Sequence, residues 1–177
     1  GFGHIGQRMG RLFFALGARL LYSDPIPIGA REEKALSIER MPLKQLLKTA
    51  DIVSLQVPLT SSTRHMIGAE ELALMKPDAL LISTCRGPVI DEHLLCEALV
   101  DKQIAGTGLD VFKTEHCPTD STLLALPNVL LTPYAGSVTR DTWARRGAFV
   151  FSNIQRVCNG QPPQGQIGPT RTDLNRA

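Results

Sequence analysis

The sequence contains no apolar run approaching 18 residues, so it offers no candidate for a membrane-spanning helix. No secretory leader is visible in it. Its four cysteines, Cys85, Cys96, Cys117 and Cys158, form no C-x-x-C pair, and no histidine stands at a zinc-ligand spacing. Reduced thiols of a cytoplasmic protein are therefore expected, and no metal site. Charge of either sign is also missing in excess. The 19 Lys and Arg and 17 Asp and Glu leave a net +2, scattered along the chain, which argues against nucleic acid or a membrane surface as partner. There is no internal repeat and no low-complexity block. What remains is a chain of 177 residues, 43% apolar, long enough for one α/β domain with a core of its own.

The most informative stretch is Gly1-Phe2-Gly3-His4-Ile5-Gly6, which spells G-x-G-x-x-G. A helix-period apolar run follows at once (Met9, Leu12, Phe13, Leu16), then the short run Leu20-Leu21-Tyr22 and the acid Asp24. Turn, helix, strand and acid in this order are the fingerprint of a dinucleotide-binding unit. Gly1 permits a tight turn, Gly3 lets backbone approach a pyrophosphate, and Gly6 lets the helix pack closely. His4 and Ile5 open the helix and contribute backbone N–H groups at its positive end. Asp24, about 20 residues on, suits the ribose 2′-OH. Only Pro25, Ile26, Pro27 and Ile28 follow it, with no nearby cation for a 2′-phosphate, so NAD is expected over NADP.

Short apolar strands alternate with helices along the rest. Strands are expected at Arg19–Ser23, Ile52–Val57, Ala79–Ser83, Ile104–Leu109 and Val129–Thr132, with a short edge strand at Ala35–Ile38. Helices are expected after Pro42 (as N1), over Ala69–Met75, from the N-cap Asp91 to Asp101, and over Thr139–Cys158. This alternation predicts an α/β fold, a Rossmann-type doubly wound parallel sheet. One domain is expected over residues 1–158, followed by a loose tail over 159–177. The fingerprint ordinarily follows a strand, and none precedes Gly1. The chain therefore reads as a fragment whose first strand lies outside it.

In such sheets ligands bind beyond the carboxyl ends of the strands. The strand ending at Val57 delivers Pro58 and a Thr/Ser loop containing Thr63. The strand ending at Ser83 delivers Cys85 and Arg86, the one ending at Leu109 delivers Asp110 and then Glu115, and the one ending at Thr132 delivers Tyr134 and Gly136. A cation, two acids and a phenol thus meet on one rim. Each also has a plainer reading. Arg86 could be a turn residue, Asp110 a cap for backbone amides, Glu115 and His116 surface loop, and Tyr134 half-buried packing. Cys85 could be a neutral buried thiol.

The segments GFGHIG…YSDP, VPLTSSTRHMIG, LLISTCRGPVIDEHLLCEAL, AGTGLDVFKTE and PNVLLTPYAGS, in this order, resemble successive signatures of the NAD-dependent D-isomer-specific 2-hydroxyacid dehydrogenases. The resemblance implies the cofactor-binding domain of such an enzyme, acting on a small 2-hydroxy or 2-keto acid and homodimeric at full length. The family's substrate domain lies largely N-terminal to this region. By resemblance, Arg86 is the arginine that binds the substrate carboxylate and polarises its carbonyl, a task suited to a planar cationic fork. Glu115 matches the glutamate that partners the catalytic histidine, Asp110 the nicotinamide-side aspartate, and Asp24 the ribose carboxylate. One position departs. Where the family motif reads T-P-H-x-[AG], this chain reads Thr132-Pro133-Tyr134-Ala135-Gly136. A phenol gives up its proton less readily than an imidazole, so Tyr134 could donate a proton during reduction but would be a poor base for oxidation.

The expected function is hydride transfer between NAD(H) and a 2-hydroxy or 2-keto acid, like a hydroxypyruvate/glyoxylate reductase or a phosphoglycerate dehydrogenase. The alternative is an NAD-binding regulatory or interaction module that has lost turnover, which the missing histidine supports.

Overall fold

The computed structural model describes residues 1–115 and 117–166. His116 and residues 167–177, which include most of the expected tail, lie outside the described residues. Two compact units are present, Gly1–Gly136 and a second one beginning at Ser137. The first carries both the sheets and the core.

The first unit opens on helix α1 (His4–Ala15), then strand β1 (Leu21–Tyr22), helix α2 (Ala30–Leu36), strand β2 (Glu39–Arg40), helix α3 (Leu43–Thr49) and strand β3 (Ile52–Leu55). It continues through α4 (Ala69–Leu74), β4 (Leu80–Ser83), α5 (Glu92–Val100), β5 (Gly106–Leu109) and β6 (Val129–Leu131). All pairings are parallel. β1 pairs with β2, and β3-β4-β5-β6 form a four-stranded sheet in chain order, each strand parallel to the next. The α/β parallel architecture is therefore as expected.

The edge strand expected at Ala35–Ile38 is not there. Ala30-Arg31-Glu32-Glu33-Lys34-Ala35-Leu36 are strong helix formers with two acids in the first turn, and α2 claims them. Ser37, in the left-handed region at φ 46°, ends that helix, and the strand begins at Glu39. Pro42 sits at the N-cap of α3, one position earlier than expected, where its fixed φ still suits the helix entry. Asp91 caps α5 as expected, its carboxylate accepting from the amides of His93 and Leu94.

The main core lies between the four-stranded sheet and its helices. Leu47, Ile67, Leu72, Leu81, Leu95, Leu99 and Ile104 are fully buried there, each worth about 1.5–3 kcal/mol of burial. A smaller cluster of Phe2, Tyr22, Leu36 and Ile38 lies by β1 and β2, with the Phe2 and Tyr22 rings 4.9 Å apart. Gly1 stands between the two sheets. Its nitrogen donates to the Ser23 carbonyl at 2.9 Å, and a Cβ on it would fall 2.5 Å from the Gln56 carbonyl oxygen.

In the second unit, helix α6 (Arg140–Cys158) starts at Thr139, whose hydroxyl accepts from the Thr142 amide at 3.2 Å. No residue of α6 is buried. The beginning of the expected loose tail folds back along it: Asn153 makes two side-chain hydrogen bonds to the Gln164 backbone, and Arg156 Nε donates to Pro162.

Candidate functional site

The glycine-rich turn has the shape its sequence promised. A Cβ on Gly6 would fall 2.7 Å from the Gly1 carbonyl oxygen, so only glycine closes this turn. A Cβ on Gly3 would meet nothing within 4 Å. Among the described residues nothing therefore demands glycine at that position, whereas a ligand backing onto it would. Gly3 is the N-cap of α1, no side chain caps that end, and His4 and Ile5 are exposed beside it. The first-turn N–H groups and the positive end of the helix are left open to an anion. These features fit the pyrophosphate of a dinucleotide. Sequence reading passed over a fourth glycine. A Cβ on Gly10 would lie 2.8 Å from the Phe2 ring, and its spacing of four from Gly6, on one helix face, was the available signal.

Asp24 is held beside this turn. One carboxylate oxygen accepts from the Phe2 amide at 2.7 Å and the other from the Ile26 amide at 2.8 Å. The expectation of no nearby cation needs correction. Arg40, sixteen residues on, donates through Nε and Nη2 to the Asp24 carbonyl at 3.2 and 2.9 Å, and through Nη2 to the Pro25 carbonyl at 3.2 Å. Parallel pairing of β1 with β2 brings it there. Its hydrogen bonds go to backbone carbonyls, and the Asp24 carboxylate is occupied by amides.

Beyond β3, the Thr63 hydroxyl donates to the Pro58 carbonyl at 2.6 Å and accepts from the Thr60 amide at 2.8 Å, closing a compact polar turn. Beyond β4, Cys85 is buried with its sulfur 3.4 Å from the Ser83 hydroxyl, so its thiol points into the protein. Arg86 is exposed, and Nη1 donates to the Cys85 carbonyl at 2.6 Å. The next residue admits no substitute. A Cβ on Gly87 would fall 1.8 Å from the Phe112 carbonyl oxygen, so the Arg86 turn is packed backbone-to-backbone on the segment leaving β5.

Asp110, at the end of β5, is buried and fully engaged. It accepts from the Thr132 hydroxyl at 2.5 Å, the Ala135 amide at 2.8 Å and the Gly136 amide at 2.9 Å. Burial alone would raise its pKa. The hydrogen bonds from Thr132, Gly136 and Ala135 outweigh that and hold the carboxyl below the usual carboxylate value. Its three partners flank Tyr134 on both sides. Tyr134 itself adopts φ 54°, a left-handed conformation unfavourable to a bulky side chain. Its ring is partly exposed and lines a cavity of about 230 Å³ together with Glu115, Phe112 and Leu131. The structure thus brings Glu115 and Tyr134 to one cavity, whereas Arg86 does not line it. His116 lies outside the described residues.

A parallel sheet with an uncapped helix start behind a three-glycine turn, and a ribose-suited carboxylate at the end of β1, defines a dinucleotide-binding α/β domain. The family model described as "D-isomer specific 2-hydroxyacid dehydrogenase, NAD binding domain" matches residues 1–136, and the chain belongs to this family. It is 45% identical over 169 residues to a glyoxylate reductase of Korarchaeum cryptofilum, covering 94% of this chain and 50% of that protein. It is 45% identical over 168 residues to a glyoxylate/hydroxypyruvate reductase B of Enterobacter agglomerans, covering 91% and 52%. Among solved structures it is similar to D-lactate dehydrogenase with NAD+ from Lactobacillus jensenii, with a TM-score of 0.87 and 32% identity over 95% of this chain and 54% of that one. The chain spans about half the length of the curated relatives it matches.

Proposed function

We propose that the protein carrying this chain is an NAD-dependent oxidoreductase that interconverts a small 2-keto acid and its 2-hydroxy acid, in the manner of a glyoxylate or hydroxypyruvate reductase. The observation that carries this reading is the shared cavity of Glu115 and Tyr134 beyond the carboxyl ends of β5 and β6, in the same compact unit as the dinucleotide turn. Gly1, Gly3, His4, Ile5, Gly6 and Asp24 would hold the phosphates and ribose. Pro58, Thr63, Gly136 and the backbone at Cys85, on the strand-end turns, would line the nicotinamide side, with Asp110 holding the turn that carries Gly136. The hydride for C2 of the substrate would come from NADH held by these residues. Arg86, exposed on its turn, binds the substrate carboxylate and draws electron density from the carbonyl. The Tyr134 hydroxyl gives a proton to the carbonyl oxygen as the C=O π bond opens, and Glu115 orients that hydroxyl.

A glyoxylate or hydroxypyruvate substrate is favoured by the names of the most similar relatives. A cytoplasmic homodimer completes the proposal. The four cysteines are unpaired, and no helix among the described residues is long and apolar enough to cross a membrane. Reduction of a panel of 2-keto acids by NADH, with the full-length protein, tests the activity, and sedimentation tests the dimer. A second reading has its own support: Tyr134 occupies the position of the family's histidine. Tight NADH binding without turnover of any 2-keto acid would favour a regulatory module instead.

A further inference from the structure

We propose that Glu92 is a positioning residue for Glu115, acting as the anchor of its loop on the β5 side. The proposal rests on the reading of Glu115 given above. Glu92 is the first residue of α5, six residues after Arg86, and it points its carboxylate away from its own helix. Its Oε2 accepts from the backbone amide of Lys113 at 2.8 Å.

That amide sits at a transition. Val111 and Phe112 leave β5 buried, at 2% and 4% exposure, and Phe112 is pinned where Gly87 packs against its carbonyl. Lys113, Thr114 and Glu115 are exposed. Among the described residues, no other hydrogen bond involves any of these three. Two residues beyond the tether, Glu115 reaches the cavity it shares with Tyr134. Without the Glu92 acceptor, the loop is held at Phe112 on one side and at Cys117, which packs against the core, on the other. The exposed residues from Lys113 to Glu115 are then free to shift between these two points, and a misplacement of about 1 Å at a reacting group can lower turnover by up to about a hundredfold. Water can replace Glu92 at an exposed amide, so the stability of the fold changes far less than the placement of Glu115.

A merely structural role for Glu92, as an acid in the first turn of α5, would act regardless of Glu115. The experiment separates the two. In the full-length protein, Glu92→Met keeps the side-chain length and helix propensity but offers no oxygen acceptor. Glu92→Gln keeps an oxygen and loses the charge. Each is combined with Glu115→Gln in a mutant cycle. Turnover of a 2-keto acid with NADH is measured alongside hydrogen exchange of the Lys113 amide.

Glu92→Met is expected to lower kcat about tenfold with KM for NADH changed less than about twofold. In the Glu115→Gln background the same substitution is expected to lower kcat less than about twofold. Glu92→Gln is expected to keep at least about half of the wild-type kcat. The Lys113 amide should exchange at least about tenfold faster in Glu92→Met and at nearly the wild-type rate in Glu92→Gln. If Glu92→Met does not fold, Glu92→Ala takes its place with the same expectations. The proposal is overturned by an equal loss in both backgrounds, by wild-type turnover of Glu92→Met, or by unchanged Lys113 exchange. Wild-type turnover of Glu115→Gln alone would instead overturn the reading of Glu115 itself, and the proposal with it.

Discussion

Replacing Asp110 with Asn tests how the turn bearing Tyr134 is held. The carboxylate accepts three hydrogen bonds, two on one oxygen from Thr132 and Ala135 and one on the other from Gly136. Asn keeps one oxygen for Thr132 and Ala135 but turns an N–H group toward the Gly136 amide. One charge-assisted bond is lost and two are weakened. At about 1.5–3 kcal/mol for a hydrogen bond to a charged group, the variant should lose about 2–4 kcal/mol at neutral pH. The loss should also depend on pH. Burial opposes ionisation of Asp110, but the three donors prevail, so its pKa is lowered in the fold. A carboxylate of this kind stabilises the native state fully above its unfolded pKa of about 3.9 and loses that contribution as pH falls through the folded value. The gap between wild type and Asp110→Asn should be full at pH 7 and should close below about pH 4. Urea unfolding of the full-length protein, from neutral to acid pH, measures it. A gap below about 0.5 kcal/mol at neutral pH, or one unchanged in acid, would refute the account of Asp110 as the clamp of this turn.

Other expectations concern chemistry and packing. Tyr134→Phe should abolish 2-keto acid reduction while leaving NADH binding intact. Tyr134→His, which places a side chain more tolerant of a left-handed backbone at φ 54°, should raise turnover, and equal rates for wild type and Tyr134→Phe would remove the phenol as proton donor. NADH should bind at least about tenfold more tightly than NADPH, a difference of about 1.4 kcal/mol, and Asp24→Ala should narrow it; calorimetric titration with both cofactors decides. Gly87→Ala should leave the protein unfolded or lower its stability by more than about 3 kcal/mol, because the new methyl meets backbone rather than a movable side chain. The 177-residue chain expressed alone should aggregate, since among the described residues β1 and β3 each leave one edge unpaired, and a sharp cooperative melt would contradict this.

Much of the fold and part of the candidate site were legible because they are written in short-range pattern. The glycine turn, the apolar periods, the Asp91 cap and the turn residues at strand ends act within a few positions of one another, and local sterics force their outcome. The helix over Ala30–Leu36 was legible in principle too, through its helix-forming residues, although the edge strand was expected at Ala35–Ile38 and lies at Glu39–Arg40.

What the tertiary structure alone decided is which distant groups meet. Arg40 reaches the Asp24 loop only because β1 and β2 pair in parallel. Asp110 finds donors 22 to 26 residues away only because β6 lies beside β5, which makes it the holder of Tyr134's turn. Glu92 meets Lys113 only because α5 starts beside the exit of β5. Such contacts depend on register and crossover geometry, which no local periodicity encodes. The chain's order of residues thus determined the class of cofactor, and three-dimensional packing determined which of its turn residues hold one another in place.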